Sequence, residues 1–237
     1  MGRPNAYARR TTYRARFYRD DYFVLKHIGD FINTSLRTYV ARGARVADIG
    51  CGAQPLRAQI ERLGATYTGV DIEQNPQQTV EVVASITDLP FAESSFDTIL
   101  CTEVLEHVSD SYAAFGALAR VLKPGGHLII TVPFAYPLHE EPYDYVRLTP
   151  HQIRECAARA NLTVSDLRTT GNELEVIATV LDNMWRRGIK GTPNLYQRRW
   201  ISLTRIATNL LVMVGVGLFG RRLPKRYYLN AVCVLTK

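Results

Sequence analysis

Cysteine is scarce in this sequence, and its four copies lie far from one another. Cys51, Cys101, Cys156 and Cys233 form no C-x-x-C pair, so the signatures of zinc fingers and dithiol redox sites are missing. Reduced thiols in the cytoplasm are the simplest interpretation. The N-terminal stretch is basic but has no apolar core, which argues against a secretory signal.

A long uninterrupted hydrophobic run is also missing. The most apolar stretch, residues 201–220, is interrupted by Arg205 and Asn209, which leaves eleven residues without a polar side chain, whereas a membrane-spanning helix needs about 20. The flanking arginines are Arg198, Arg199, Arg221 and Arg222. We expect a helix that packs on the body or in a homodimer interface, or an interfacial helix or substrate lid that contacts anionic lipid.

Acidic residues are absent from both ends. Residues 1–19 hold six arginines and residues 183–237 hold eleven lysines or arginines, and neither range contains an acid. The net charge of +7 therefore hides an acidic middle with twelve bases and all 22 acids. This division argues against a uniformly basic nucleic-acid binder and indicates a separate role for the ends. At 237 residues, 46% of them hydrophobic, the chain predicts one globular domain.

Short apolar runs alternate with amphipathic segments along the middle of the chain. The predicted strands are 45–49, 66–71, 80–84, 96–101, 127–132, 162–167 and 231–235. The predicted helices are 55–63, 111–122 and 149–160. This alternation predicts a mostly parallel sheet covered on both faces. Ligands of such sheets bind at the carboxyl ends of the strands.

Two glycines follow the first predicted strand, in Asp48-Ile49-Gly50-Cys51-Gly52. They allow a tight turn and a close approach of the backbone to a ligand. A nicotinamide-binding loop would need a third glycine where this chain has Pro55, and the Asp48 carboxylate suits a cationic ligand better than a pyrophosphate. Asp71 ends the second strand, 21 residues beyond Gly50, where a carboxylate can accept both hydroxyls of a ribose.

Four segments in order carry a family resemblance: VADIGCGAQP, GVDIEQN, DLPFAESSFDTILCTEVLEHV and VLKPGGHLIITVP. They resemble the successive motifs of class I S-adenosylmethionine-dependent methyltransferases and cover residues 45–132. The resemblance implies an α/β fold, namely a Rossmann-like, doubly wound, seven-stranded sheet whose last strand is antiparallel. It also implies S-adenosyl-L-methionine as the methyl donor and S-adenosyl-L-homocysteine as the product.

The resemblance assigns roles by position. It implies that the glycine loop holds the methionine part of the cofactor, Asp71 the ribose and Asp88 the adenine, with the sulfonium near Glu103. The full expected cofactor set is Asp48, Gly50, Cys51, Gly52, Asp71, Ile72, Asp88, Leu89, Thr102 and Glu103. No N-P-P-Y motif follows the fourth strand, which argues against methylation of a base nitrogen.

Glu103, Glu106 and His107 follow the fourth predicted strand. If this segment is helical, the three side chains share one face and form half of a divalent-metal site. The spacing is similar to that of ubiquinone-pathway O-methyltransferases and small-RNA 2′-O-methyltransferases, where such residues hold a metal, although other members bind none. We expect no metal here, with these three residues as the alternative ligand set. Glu103 and His107 are also candidates for catalysis.

A polar and aromatic loop, residues 139–150, follows the fifth strand and is expected to overhang the site. It resembles the H-E-x-P-Y-D-[YF]-W-R-[FY]-[ST]-P stretch of a methyltransferase subgroup associated with glycan and secondary-metabolite pathways, with a valine at position 146 in place of the usual tryptophan. We expect His139, Tyr143, Tyr145 and Arg147 to bind the acceptor and His139 to act as general base. Alternatively, Tyr145 and Arg147 only anchor the loop.

The predicted function is methyl transfer to a hydroxyl of a glycan, lipid-linked or secondary-metabolite acceptor. One alternative is RNA 2′-O-methylation, with the basic ends as the footprint. Another is a non-catalytic cofactor-binding module. The N-terminal aromatics and arginines could stack on RNA or form a lid over the cofactor: Tyr7, Arg9, Arg10, Tyr13, Arg14, Arg16, Phe17 and Tyr18.

The predicted organisation has two parts. Residues 1–40 form a basic, aromatic arm and a helix, and residues 41–237 form the methyltransferase domain, with a helical insertion at about 172–226 before the last strand. We expect a cytoplasmic enzyme with a small-molecule or glycan- or lipid-linked acceptor. Peripheral membrane contact would run through residues 198–222, and a homodimer is the other expected partner.

Overall fold

The computed structural model describes residues 12–18, 21–188, 194–219 and 226–237. The helices are α1 Tyr22–Tyr39, α2 Arg57–Arg62, α3 Ser111–Val121, α4 Pro150–Arg159, α5 Glu173–Gly188 and α6 Leu195–Phe219. The strands are β1 Arg45–Ile49, β2 Thr66–Asp71, β3 Val82–Val83, β4 Phe96–Thr102, β5 Leu122–Pro133, β6 Thr163–Thr170 and β7 Asn230–Thr236. A short 3-10 helix covers Leu105–His107.

The seven strands form one sheet in the order β3-β2-β1-β4-β5-β7-β6. The first five strands run parallel to one another, whereas β7 lies between β5 and β6 and runs antiparallel to both. This order confirms the predicted Rossmann-like fold. Ile49 lies beside Val70 and Cys101, so the carboxyl ends of β1, β2 and β4 meet at one edge of the sheet.

Apolar side chains cover both faces of the sheet because alternate strand residues point to opposite sides. Ile130 packs in the cluster that contains Phe115 of α3 and Ile153 of α4. Its neighbour Ile129 packs in the other cluster, with Ile32 of α1. Helices on both faces leave the strand ends as the place where polar groups can collect.

Two helix starts follow from the side chains before them. Asp110 accepts a hydrogen bond of 2.9 Å from the Ala113 backbone and caps α3. Thr149 accepts one of 3.2 Å from the Gln152 backbone and caps α4, as its sequence predicts.

The boundary between α3 and β5 differs from the prediction. The helix ends at Val121 and the strand begins at Leu122, five residues before the predicted start. Leu122 lies opposite Phe96, but the next paired residue, His127, lies opposite Thr98. Residues 123–126 therefore bulge from the sheet, because a proline and a glycine at φ +74° cannot continue regular pairing.

In the sequence, the helices α5 and α6 come after β6 and before β7, and they pack against each other. Arg205 of α6 pairs with Asp182 of α5 at 2.6 Å, and the Asn209 amide donates to the Phe17 carbonyl at 2.8 Å. Segment 12–18 is thereby held against α6. By length and composition, α6 is the helix among the described residues that could cross a membrane, with a mean hydropathy of 1.6 over its most apolar 18 residues.

Several expectations concern parts of the chain outside the described ranges. They involve Tyr7, Arg9, Arg10, Gly220, Arg221 and Arg222. The described arm residues Arg14, Arg16 and Tyr18 are exposed.

Candidate active site

The loop after β1 requires glycine at its first turn. Gly50 has φ +72° and Gly52 has φ +53°, a region that glycine adopts without steric cost. A Cβ on Gly50 would lie 2.2 Å from a methyl carbon of Val104. The backbone N–H groups of Gly50 and Cys51 both donate to the Val70 carbonyl, which fixes the loop to the end of β2.

Asp71 ties the end of β2 to the same loop. Its side chain is 6% exposed and accepts a hydrogen bond of 2.9 Å from the Gly52 N–H. Asn75 donates to the Gly52 carbonyl at 3.0 Å, a brace that the sequence pattern did not reveal. Ile72 is about half exposed beside them, so an apolar surface adjoins the carboxylate.

Asp48 lies beneath the loop and is almost fully buried. The Tyr67 hydroxyl donates to it at 2.8 Å. Burial raises the pKa of Asp48 to about 7, although the Tyr67 hydrogen bond opposes the rise and the nearby Asp71 charge adds to it. Burial also raises the pKa of the Cys51 thiol, so that side chain is a neutral wall of the site.

The residues expected near the adenine lie in the loop after β3. Leu89 is buried and Asp88 is exposed. The Arg120 guanidinium donates to the backbone carbonyls of Leu89 and Phe91, both at 2.6 Å. Arg120 therefore braces this loop from α3, a contact that no motif had indicated.

Glu103 does not share a helical face with Glu106, so that prediction is wrong. It has φ +55°, and the 3-10 helix begins only at residue 105. Its carboxylate accepts hydrogen bonds from Thr131 at 2.9 Å and from Asn230 at 3.2 Å. The turn at Glu103 sends this side chain toward β5 and β7, away from the imidazoles of the next cluster.

A tyrosine of the N-terminal arm reaches the end of β4. The hydroxyls of Tyr13 and Thr102 share a hydrogen bond of 2.6 Å. The arm passes so close to α1 that a Cβ on Gly29 would lie 2.5 Å from the Tyr13 carbonyl oxygen. The sequence predicts Tyr13 as part of an RNA-stacking arm or of a lid, and the signal that could indicate this contact is a glycine on the buried face of an amphipathic helix.

Three potential ligand atoms of Glu106, His107 and His139 lie within 4.8 Å of one another. Glu106 is 1% exposed, and within the part of the chain that the structure describes neither of its carboxylate oxygens has a hydrogen-bond partner. The Nε2 atoms of His107 and His139 lie 3.7 and 3.8 Å from its Oε1. Burial and the Glu103 charge raise the pKa of Glu106 well above its usual value.

The other ring nitrogens of the two histidines face hydrogen-bond acceptors. His107 Nδ1 lies 2.9 Å from the Tyr143 carbonyl oxygen. His139 Nδ1 lies 3.3 Å from the Pro137 carbonyl oxygen and 3.1 Å from Asp144. These contacts put the proton of a neutral ring on Nδ1 and leave a lone pair on each Nε2. Three acceptors therefore converge at this point.

The loop of residues 139–150 is braced by an ion pair between two of its own side chains. Arg147 binds both oxygens of Asp144, and the His139 backbone N–H donates to the same carboxylate at 3.0 Å. Although burial would raise the pKa of Asp144, the Arg147 and His139 hydrogen bonds lower it to about 2. Arg147 is thus occupied within the loop, whereas Tyr145 is half exposed.

Comparison with known proteins agrees with this geometry. A family model described as a methyltransferase domain matches residues 47–130. A ubiquinone biosynthesis O-methyltransferase from Xanthomonas euvesicatoria pv. vesicatoria is 34% identical over 178 residues, which cover 66% of this chain and 73% of that protein.

Two solved structures share the fold. A Galdieria sulphuraria protein provisionally assigned as a sarcosine dimethylglycine methyltransferase has a TM-score of 0.59 and 16% identity, over 90% of this chain and 86% of that one. Phosphoethanolamine N-methyltransferase 2 from Haemonchus contortus, solved with S-adenosyl-L-methionine, has a TM-score of 0.53 and 17% identity, over 86% of this chain and 51% of that one.

The fold and the loop at the strand ends define an α/β enzyme of the Rossmann-like class. The motifs and the relatives narrow this class to one family. The chain belongs to the class I S-adenosylmethionine-dependent methyltransferases, and S-adenosyl-L-methionine is its cofactor.

Proposed function

We propose that this enzyme methylates a hydroxyl of a small-molecule acceptor that binds under the 139–150 loop. The observation that carries the proposal is the convergence of Glu106, His107 and His139 beyond the end of β4. Nitrogen and carboxylate lone pairs that face one space can accept a hydroxyl proton or bind a cation that acidifies it. The O-methyltransferase name of the Xanthomonas relative supports the same acceptor atom.

The chemistry divides between cofactor and protein. When bound, S-adenosyl-L-methionine supplies a methyl group that the positive sulfur already activates. Transfer of that methyl group to an acceptor oxygen would leave S-adenosyl-L-homocysteine and would release the hydroxyl proton of the acceptor. The protein's tasks are to align the two reactants, exclude water and receive the proton.

His139 is the proposed acceptor of that proton, through Nε2. Its Nδ1 is held by the Pro137 carbonyl and Asp144, and Arg147 fixes Asp144 in turn. Burial lowers the pKa of His139 below its usual value, which favours the neutral ring. A neutral imidazole oriented by a carboxylate is a suitable general base.

A divalent cation is the second proposed occupant of this cluster. Glu106 has two buried oxygens that no donor of the described residues reaches. Histidines that ligate metals commonly donate their other N–H to a carbonyl or carboxylate, as His107 and His139 do here. The residues therefore fit a metal. Glu106, His107 and His139 would hold it, in place of the Glu103, Glu106 and His107 set that the helical spacing suggested. A cation there would lower the pKa of an acceptor hydroxyl.

We propose a lipid-linked or otherwise apolar phenol or sugar hydroxyl as the acceptor, handled in the cytoplasm at a membrane surface. The half-exposed Tyr145, together with the exposed Leu138 just before the 139–150 loop, gives this loop an apolar rim. RNA is the less favoured acceptor, because the Tyr13 hydroxyl is bonded to Thr102, which ties this part of the arm to the end of β4. The domain division into residues 1–40 and 41–237, with a helical insertion at about 172–226, stays part of this proposal.

The experiment that tests the function combines calorimetry with a methyl-transfer assay. We expect S-adenosyl-L-methionine to bind in the micromolar range and the Asp71→Asn variant to bind about 10- to 100-fold more weakly, because a charged hydrogen-bond partner is lost. Radiolabelled methyl should reach lipid-linked phenols or sugars in preference to RNA.

The matched control is Asp166→Asn, which removes a carboxylate from β6, and it should bind the cofactor as the parent does. If the parent protein failed to bind the cofactor, or if Asp71→Asn bound it equally well, the assigned site would be wrong. Methylation of RNA alone would replace the proposed acceptor class.

Cofactor binding should depend on pH through Asp48. Its pKa of about 7 means that the carboxyl is mostly neutral below that pH and mostly charged above it. Because the cationic cofactor favours the charged form, its association constant should rise with pH by up to about tenfold per unit below the pKa, then level off. Calorimetry across this range measures the rise, and Asp48→Asn should remove it. If the association constant of Asp48→Asn still rose with pH, the titration would belong to another group.

A further inference from the structure

We propose that the outward face of α6 docks in the plane of an anionic lipid bilayer. Docking would make this enzyme a peripheral membrane protein that receives its acceptor from the lipid phase. The docking surface stands independently of the methyl-transfer chemistry, whereas delivery of the acceptor rests on the proposed function.

The polarity of α6 is the reverse of that expected for a surface helix in water. A helix on a globular body normally turns its apolar stripe inward and its polar side chains outward. Here Arg205 and Asn209 face the body, where they bind Asp182 and the Phe17 carbonyl. The large exposed apolar side chains are Leu195, Tyr196, Trp200, Leu203, Leu210, Leu211, Met213, Val214, Leu218 and Phe219.

The outward face is continuous along the helix. Trp200, Leu211 and Leu218 are 63%, 74% and 69% exposed, and they lie within a narrow range of angles on an ideal helix. The neighbouring helix α5 adds four exposed apolar side chains: Ile177, Val180, Leu181 and Met184. Contiguous apolar surface on this scale marks a contact with a membrane or a partner.

The inward contacts argue for a helix that lies on the membrane rather than one that crosses it. The pair between Arg205 and Asp182 is nearly buried, at 13% and 11% side-chain exposure. Val212 and Val216 pack in the core cluster of α1. Crossing a bilayer would break these contacts and move Arg205 into hydrocarbon, whereas docking in the interface keeps all of them.

The positive charge of residues 183–237 favours an anionic bilayer as the surface that the outward face of α6 binds. Residues 183–237 contain eleven lysines or arginines and no acid. Arg199 is exposed next to Trp200, and an arginine beside an aromatic residue is typical of helices at the lipid headgroup level. A second copy of this chain would bring the same acid-free segment against itself, and the like charges would repel.

The arm connects this surface to the active site. Segment 12–18 contacts α6 through Phe17 and Tyr18, whose carbonyls accept from Asn209 and Arg205. At its other end the Tyr13 hydroxyl bonds to Thr102. A bilayer under α6 would therefore lie close to the arm that closes the end of β4, which suits an acceptor that arrives from the lipid.

Vesicle flotation of the full chain tests the docking surface, without cofactor or acceptor. We expect about tenfold or greater partitioning onto vesicles of phosphatidylcholine mixed with phosphatidylglycerol than onto phosphatidylcholine alone, reduced by salt. The variant Leu203→Glu/Leu211→Glu should lose most of this binding. In a Trp185→Phe background, the fluorescence of Trp200 should shift to the blue on vesicles.

The control is Val83→Glu, which adds one negative charge, against two in the double variant, at a 54%-exposed apolar residue of β3 and should bind vesicles as the parent does. Circular dichroism and calorimetry with S-adenosyl-L-methionine verify folding and report on the proposed function separately. The docking proposal would be overturned if the parent bound neither kind of vesicle, or if the double variant bound vesicles as well as the parent does. A dimer that Leu203→Glu/Leu211→Glu dissociates, without vesicle binding by the parent, would assign the face to a second copy.

Discussion

Alanine at position 50 should remove cofactor binding while the rest of the fold persists. The new Cβ would lie 2.2 Å from a methyl carbon of Val104, and the φ of +72° adds a cost of about 1–2 kcal/mol. Val104 is β-branched and stiff, so the backbone of either the loop or the β4 end must move. A displacement of about 1 Å at such a site can cost about 100-fold. Calorimetry should therefore show at least about 100-fold weaker binding of S-adenosyl-L-methionine.

Gly43→Ala is the matched control for this change. Gly43 has φ +81°, yet nothing lies within 4 Å of its ideal Cβ. Alanine there would therefore carry the same left-handed strain without the collision. Gly43 precedes β1 and lies away from the carboxyl ends of the strands. We expect a modest fall in Tm and unchanged cofactor binding. Equal loss of binding in both variants would show that general destabilisation, and not the contact with Val104, is responsible.

His139→Ala should reduce kcat by about 100- to 10,000-fold, the usual contribution of a positioned acid or base. The affinity for S-adenosyl-L-methionine should stay unchanged, because His139 lies in the loop after β5 and not in the glycine loop. Steady-state kinetics with the preferred acceptor, together with calorimetry, separates the two effects. Unchanged kcat would remove His139 from the catalytic set.

Two further measurements decide how His139 acts. Asp144→Asn keeps the size of the side chain but loses the charge that orients Nδ1 and pairs with Arg147, and because the imidazole itself remains, kcat should fall less than in His139→Ala. Treatment of the parent with a chelator distinguishes a base from a ligand. Activity that is lost and then restored by a divalent cation assigns His139 to a metal site, with Glu106→Gln equally inactive. Activity that resists chelation assigns it as the base.

Local patterns predicted the strands and a mostly parallel sheet, and the family resemblance supplied the seven-stranded fold with its antiparallel last strand. Arg45–Ile49 and Thr66–Asp71 are strands with the predicted bounds, because buried parallel strands read as continuous apolar runs between turn residues. Thr149 and Pro150 marked the start of α4 because the signals for capping are local. The glycine loop and Asp71 meet as expected, since parallel neighbours end at the same edge of the sheet.

The acceptor side was less predictable because its geometry depends on distant parts of the chain. The positive φ of Glu103 separates it from Glu106, and nothing in E-V-L-E-H signals that turn. His139 joins Glu106 and His107 only because β5 lies next to β4. Tyr13 reaches Thr102 across 89 positions of sequence, a separation at which patterns of hydrophobicity carry no information.

The position of β7 affects how the molecule is synthesised. The ribosome delivers β5 and β6 well before Asn230–Thr236, the strand that lies between them, so both wait with unpaired edges. Asn230, which binds Glu103, and Asn209, which holds Phe17, also arrive late. The active site is therefore completed by residues translated after the other strands of the sheet, and until they emerge the open edges of β5 and β6 can pair with other chains.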